Sequence, residues 1–262
     1  MRAGVLGAGM SVDDLMVALN AGAEVHLWLR KLELGAAPAD AAVSVLGPDE
    51  RARAERFRRD DDRRRFILRH AHLRDVLARY LKTSPADVPL EAKLHQPPRL
   101  DAGDLSAALR FSLSSSGDHS AVALAWRRPV GVDIEQIADD VEISAVAKAV
   151  FSQRERQALE AAPEFRRRAI FFRIWTRKEA YVKARGTGLT RDLGAFDVMR
   201  ADGSSADQDQ APVVDRESES GGPPWVVRDV HGHSEFALAC CAKGDDWTIL
   251  AFEDGVSSKD DA

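Results

Sequence analysis

Asp133 and Glu135 stand two positions apart in the segment Gly131-Val132-Asp133-Ile134-Glu135. On a strand, residues two apart share a face, so both carboxylates point one way while Val132 and Ile134 point the other way, into a core. Two adjacent carboxylates repel and desolvate poorly unless a cation joins them. A hard divalent metal with oxygen ligands removes both costs. Two ordinary acids on a solvent-facing edge have the same spacing, and the spacing alone leaves both readings open.

A second constellation lies in Ile174-Trp175-Thr176-Arg177-Lys178-Glu179-Ala180-Tyr181-Val182-Lys183. Glu179 and Lys183 are i,i+4 and share a helical face. Trp175, one turn earlier, can cover the buried side while Glu179 reaches a cleft. A plain salt bridge explains the Glu–Lys pair as well. Gly186-Thr187-Gly188-Leu189 follows, and its glycines permit the turn that ends the helix.

These groups need elements to hold them. Residues 24–30 alternate and read as a strand, and 36–47 as a loop of small residues. Pro48-Asp49-Glu50 opens a helical region running towards Leu81, with Phe57, Phe66, Leu73, Leu77 and Tyr80 as its apolar stripe. Leu90–Arg110, with two prolines and a glycine, reads mostly as loop. Strands are expected over 121–126 and 130–135, separated by a turn at Arg127-Arg128-Pro129. Helices are expected over 142–150, 153–161 and 164–185, and strands again over 225–230, 234–241 and 247–252. Residues 201–223 are acidic and rich in Ser and Gly, an exposed loop with no chemistry.

The chain has 262 residues, enough for one large domain or two small ones. It is 45% apolar and 30% charged, which excludes a wholly disordered chain. Its net charge of -5 does not suggest a nucleic-acid partner. Eleven arginines nevertheless fall between Arg51 and Arg79, against seven acids from Asp49 to Arg79. Arginine forks suit phosphate, and a long helix with a solvated polar face has the same charge pattern. Cys240 and Cys241 are adjacent and form no zinc or disulfide framework. No apolar run is long enough to span a membrane and no secretory leader is visible, so the expectation is a cytoplasmic protein without a membrane partner.

A faint internal repeat runs through the chain. Arg63-Arg64-Arg65 and Leu73-Arg74 recur as Arg166-Arg167-Arg168 and Thr176-Arg177. His119-Ser120, followed by Ala123-Leu124-Ala125, recurs as His233-Ser234, followed by Ala237-Leu238-Ala239. Two related α+β halves would give this order, and chance matching in an Ala/Arg-rich chain would give it too. If the halves are real, a cleft between them is the first place to look for a site.

The paired motifs, in this order and spacing, resemble the 4′-phosphopantetheinyl transferase superfamily, in the longer two-halved type that activates nonribosomal peptide and polyketide synthases. Phe151-Ser152-Gln153-Arg154-Glu155 resembles the family's phenylalanine-serine segment, and Asp62–Arg65, Arg69 and Arg74 its N-terminal arginine helix. The resemblance covers roughly residues 45–200. It implies an α+β pseudo-dimer with halves 1–128 and 129–262, the active site in the cleft between them, in a monomer. It implies transfer of 4′-phosphopantetheine from coenzyme A to a serine of an apo acyl or peptidyl carrier protein, releasing 3′,5′-ADP. It also implies Mg2+ held by Asp133, Glu135 and Glu179, with Glu179, Lys183 and Asp133 catalytic. Arg53, Arg65, Arg74, Ser114, Ser115 and Lys183 take donor-binding positions.

Two departures from the family pattern stand out. The usual Phe-Asn-x-Ser-His-Ser-Gly is here Phe111-Ser112-Leu113-Ser114-Ser115-Ser116-Gly117, with Ser112 for Asn and Ser115 for His. The Gly-Lys-Pro segment is missing, with Lys93 and Pro97-Pro98 a loose echo. A related transferase with altered donor preference, or a weakly active carrier-binding protein, are the alternatives these departures raise.

Overall fold

A computed structural model describes residues 12–33, 38–91, 97–188, 191–199, 209–215 and 222–254. Lys93, Leu189 and most of the acidic 201–223 segment lie outside the described residues. The chain divides into two compact units. Of the described residues, one comprises those within 111–117 and 128–248, and the other those within 12–110, 118–127 and 249–254. Among the described residues each is α+β and carries one 22-residue helix packed with antiparallel strands.

In the unit built largely from the N-terminal residues, the elements are α1 (Val12–Asn20), β1 (Glu24–Lys31), α2 (Pro38–Ser44), α3 (Pro48–Ala54), α4 (Asp60–Leu81), β2 (Leu90–Glu91), β3 (Arg99–Leu100) and α5 (Asp104–Ala108). Its strands run in the sheet order β12-β1-β5, with β5 (His119–Trp126) and β12 (Thr248–Asp254), and β4 (Leu109–Ser116), next to β5 in that order, passes into the other unit from Phe111. β1 and β5 are antiparallel, Leu27 opposite Ala123. Asp60, Asp61 and Asp62 in the first turn of α4 complement its dipole, and Phe66, Leu73, Leu77 and Tyr80 are buried. The expected continuous helix from Pro48 is interrupted after Ala54. The break lets Phe57 pack on Phe66, ring centroids 5.3 Å apart, and turns Glu50 inwards. The expected loop at 36–47 contains α2, because Ala42 and Leu46 find an apolar surface on Phe66 and Ile67.

The other unit holds β6 (Val130–Gln136), α6 (Ile143–Val150), α7 (Gln153–Ala161), α8 (Glu164–Arg185), β7 (Phe196–Asp197), β8 (Gln210–Pro212), β9 (Val214–Asp215), β10 (Trp225–Asp229) and β11 (Phe236–Lys243). Its sheet is antiparallel with order β6-β11-β10-β8. α8 covers one face with Phe171, Ile174, Tyr181 and Val182, in a core that includes Val227, Ala239 and Cys241. Val132, Ile134, Leu238 and Cys240 alternate with that set and are also buried, so both faces of β6 and β11 are shielded. Gly131 sets how close α8 comes: a Cβ there would lie 2.0 Å from the Ala180 carbonyl oxygen and 2.5 Å from the Ala184 nitrogen. Any side chain at Gly131 would push α8 away from β6.

The helices of this unit follow the expected boundaries to within a residue. α7 starts with a capping box: Ser152 Oγ accepts from Glu155 N, and Ser152 N donates to Glu155 Oε2 at 2.8 Å. α8 ends at Gly186, whose φ of 67° and ψ of 16° place it in the left-handed region. Among the described residues no helix is long and apolar enough to cross a membrane.

Candidate active site

The unit containing α8 brings Ser114, Asp133, Glu135, Glu179 and Lys183 into one electrostatic and hydrogen-bonded group. Asp133 and Glu135 share the face of β6 that Gly131 opens to α8. Lys183 Nζ donates to Asp133 Oδ1 at 2.7 Å and to Ser114 Oγ at 2.8 Å. Ser114 Oγ donates to the same Asp133 Oδ1 at 2.9 Å. Glu135 accepts from Ser116 Oγ at 2.7 Å and from Trp175 Nε1 at 3.4 Å. Trp175 therefore does more than cover the helix: its indole N–H is aimed at a site carboxylate.

Burial pushes the Asp133 carboxyl up, against the opposing pull of the Lys183 charge and the Lys183 and Ser114 hydrogen bonds. Glu135 is raised by burial and by the neighbouring Asp133 charge. Glu179 is raised by burial, then by Asp133 and, more weakly, Glu135, with Lys183 opposing. The Asp133 charge raises both glutamates and Glu135 also raises Glu179, which puts the three acids in a common field. The field is short of positive charge, because one ammonium faces three carboxylates.

The residues fit a hard cation in donor chemistry. Asp133 Oδ2 is buried without a hydrogen-bond partner, a vacant lone pair beside two further carboxylates. Their positions are not those of a formed cage: among the described residues no group of three or more His, Cys, Asp or Glu side chains is placed to hold a metal ion. Asp133 Oδ1 accepts from Lys183 and Ser114, whereas each Glu135 oxygen accepts one hydrogen bond, from Ser116 or Trp175, and keeps a second lone pair.

The remaining charged residues of the motif are structural. Lys178 Nζ lies 2.7 Å from Glu155 Oε2, both side chains fully buried, and donates to the carbonyls of Leu193 and Phe196. Arg177 forms a two-pronged pair with Asp229, through Nε at 2.8 Å and Nη2 at 2.6 Å. Phe151-Ser152-Gln153-Arg154-Glu155 is thus the start of α7 and the anchor of Lys178. The Ser-x-x-Glu spacing of a capping box was the signal for it in the sequence.

The arginines expected to bind donor separate by environment. Arg74 is 2% exposed, and its Nε donates to Glu50 Oε2 at 2.5 Å. Its Nη1 donates to the carbonyls of Pro85, Ala86 and Val88. Arg74 braces the fold. The physical reason is Glu50, which turns inwards as the counter-charge. Arg53 and Arg65 keep exposed surface. The Arg53 guanidinium sits over Phe66, 5.3 Å from the ring centroid, and Arg65 lies 3.6 Å from Asp62. Ser115 alternates with Ser114 and Ser116 along β4, so it projects from the opposite side of the strand.

Two α+β units, one of which carries Asp133, Glu135, Glu179 and Lys183 on one strand–helix face, are what the known proteins can be compared with. Residues 129–241 match the model of the 4'-phosphopantetheinyl transferase superfamily. The chain is 34% identical over 168 residues to 4'-phosphopantetheinyl transferase HetI of Nostoc sp., covering 64% of this chain and 71% of that protein. It is 32% identical over 195 residues to 4'-phosphopantetheinyl transferase psf-1 of Bacillus pumilus, covering 74% and 78%. With 4'-phosphopantetheinyl transferase Sfp of Bacillus subtilis the identity is 26% over 217 residues, covering 81% and 90%. The chain belongs to the 4'-phosphopantetheinyl transferase superfamily, in its longer two-halved type.

Proposed function

We propose that this protein transfers 4′-phosphopantetheine from coenzyme A to a serine hydroxyl of an apo acyl or peptidyl carrier protein, releasing 3′,5′-ADP. The observation that carries this reading is the Lys183–Asp133–Ser114 contact beside Glu135 and Glu179, inside the segment that matches the family. Asp133, Glu135 and Glu179 would hold Mg2+, which when bound polarises the pyrophosphate and offsets charge on the departing nucleotide. The orphaned Asp133 Oδ2 and the mutual repulsion of the three acids support that assignment.

The chain's own groups then divide the work. Glu179, whose proton affinity is raised by burial and by Asp133, takes the proton from the carrier serine Oγ, directly or through one water. Lys183 Nζ stands ready to donate to the leaving phosphate oxygen, while Asp133 and Ser114 hold its ammonium in place. Ser114, Ser115, Arg53 and Arg65 are the proposed donor contacts. Spare arginines of α4 suit the acidic surface that carrier proteins typically present around their serine. The protein acts as a cytoplasmic monomer in this reading. Its free, buried Cys240 and Cys241 fit a reducing compartment.

The test is mass spectrometry of an apo carrier protein incubated with coenzyme A, Mg2+ and this protein. The expected result is a mass gain of one phosphopantetheine on the carrier serine. No gain on any acyl or peptidyl carrier, with Mg2+ present, would overturn the reading. Gain only with a coenzyme A analogue would point to altered donor preference.

A further inference from the structure

Ser112, Ser114 and Ser116 occupy every second position of β4, and their hydroxyls repeat one contact. Ser112 Oγ accepts from Val132 N at 3.1 Å, Ser114 Oγ from Ile134 N at 3.4 Å and Ser116 Oγ from Gln136 N at 3.0 Å. The other side of β6 pairs with β11 through backbone bonds. Three serine side chains thus supply acceptors that backbone carbonyls would supply in a sheet.

A hydroxyl has one proton to give. Once Ser116 Oγ accepts the Gln136 N–H, its orientation is set and its proton goes to Glu135 Oε2, 2.7 Å away. Trp175 Nε1 holds the other oxygen from α8. The Glu135 carboxylate is therefore fixed from two sides, by its own strand through Ser116 and by α8 through Trp175. Ser112 makes the same backbone contact, but among the described residues no carboxylate is hydrogen-bonded to it.

We propose that Ser116 is a positioning residue for Glu135: its hydroxyl, locked by the β6 backbone, fixes the orientation in which the carboxylate's remaining lone pairs would meet Mg2+. This rests on the transferase reading above. It assigns Ser116 no contact with coenzyme A or the carrier. Ser114 is less separable, because its hydroxyl serves Asp133 and Lys183 together.

The test uses the full chain and titrates Mg2+ alone, without donor or carrier, following the rise in melting temperature or the heat of binding. A hydrogen bond to a charged acceptor is lost in Ser116→Ala, so half-saturation should move to about tenfold higher Mg2+. Ser116→Thr keeps the hydroxyl and should stay within about twofold of the parent. Ser112→Ala removes the same backbone contact with no carboxylate attached and should leave the Mg2+ midpoint unmoved. If Ser116→Ala does not fold, Ser116→Cys, of similar size but a weak donor, should show the same rise. An unmoved midpoint in Ser116→Ala or Ser116→Cys overturns the proposal, and so does an equal shift in Ser112→Ala. Wild-type carrier modification is scored in parallel. Loss of the transferase reading shows as no carrier product from the parent, whereas failure of this proposal shows as an unshifted Mg2+ midpoint in a parent that transfers.

Discussion

Glu155 and Lys178 form a fully buried ion pair at 2.7 Å, in which the carboxylate also accepts the Ser152 N–H that starts α7. Glu50 and Arg74 repeat the device in the other unit. Glu50 accepts Gly47 N at 2.8 Å at the start of α3 and Arg74 Nε at 2.5 Å. In both, the third residue of a short helix caps that helix and pairs with a cation on the 22-residue helix. In both, the cation also binds backbone carbonyls of the segment that follows the long helix. Each unit thus ties its short helix to its long one through one buried charge pair, out of register with the sequence repeat, which aligns Arg74 with Arg177 rather than with Lys178.

Removing one member strands the other in a low-dielectric interior. Lys178→Met should cost about 3–5 kcal/mol of stability, read from denaturant unfolding. Pairing it with Glu155→Gln should recover part of that loss, because no uncompensated charge remains and the amide oxygen can still accept a buried backbone N–H. A near-parental midpoint for Lys178→Met alone would contradict the buried pair.

Arg74→Ala and Arg53→Ala should differ in kind. Arg74→Ala leaves Glu50 buried and partly unpaired and should destabilise by about 3–5 kcal/mol. Arg53→Ala should melt close to the parent and instead raise KM for coenzyme A. Melting curves beside steady-state kinetics separate the two. A raised KM with intact stability for Arg74→Ala would restore it as a donor contact.

Asp133→Ala should lower transfer by about a hundredfold or more, since it removes both a charge near the reacting phosphorus and the partner of Lys183. Stability should change far less, because three mutually repelling acids become two. An enzyme that melts early and keeps its turnover per folded molecule would show Asp133 to be structural.

The pH dependence has a definite sign. Asp133, Glu135 and Glu179 have folded-state proton affinities above their usual 3.8 or 4.5. The metal-free folded state therefore binds more protons than the unfolded chain just above the ordinary carboxyl range. That contribution to stability is present at low pH and is lost as pH rises through the raised values. Mg2+ competes with those protons, so the melting-temperature gain from Mg2+ should grow from mildly acidic to neutral pH and then level off. Differential scanning fluorimetry with and without Mg2+ across that range checks it, and a pH-independent gain would count against carboxylate ligation.

Ser115→His should lower KM for coenzyme A with little change in kcat, because a phosphate contact made equally in ground and transition states affects binding alone. A charge-assisted hydrogen bond corresponds to about tenfold to a hundredfold in affinity. The gain should shrink for a donor lacking its 3′-phosphate. Unchanged KM with a large rise in kcat would place Ser115 at the other end of the donor.

Local spacing carried much of this protein. The alternation of Gly131–Glu135 was sufficient to put Asp133 and Glu135 on one face, and the i,i+4 spacing was sufficient to put Glu179 and Lys183 on another, because strand and helix periods depend only on neighbours. Three helices between 142 and 185 were bounded by their own caps and prolines for the same reason. What required the tertiary structure is every choice of distant partner. Arg74 and Arg53 look alike in sequence. Only the break after α3 turns Glu50 inwards and makes Arg74 a buried brace. β4 has no signature in the sequence because a serine-rich strand lacks apolar alternation, and its register is set by hydroxyls meeting the backbone of β6. Likewise β12 joins β1 across nearly the whole chain. Lys183 could have paired with Glu179 on its own helix. The close approach permitted by Gly131 lets it reach Asp133 instead, a choice set by packing between elements and invisible to periodicity.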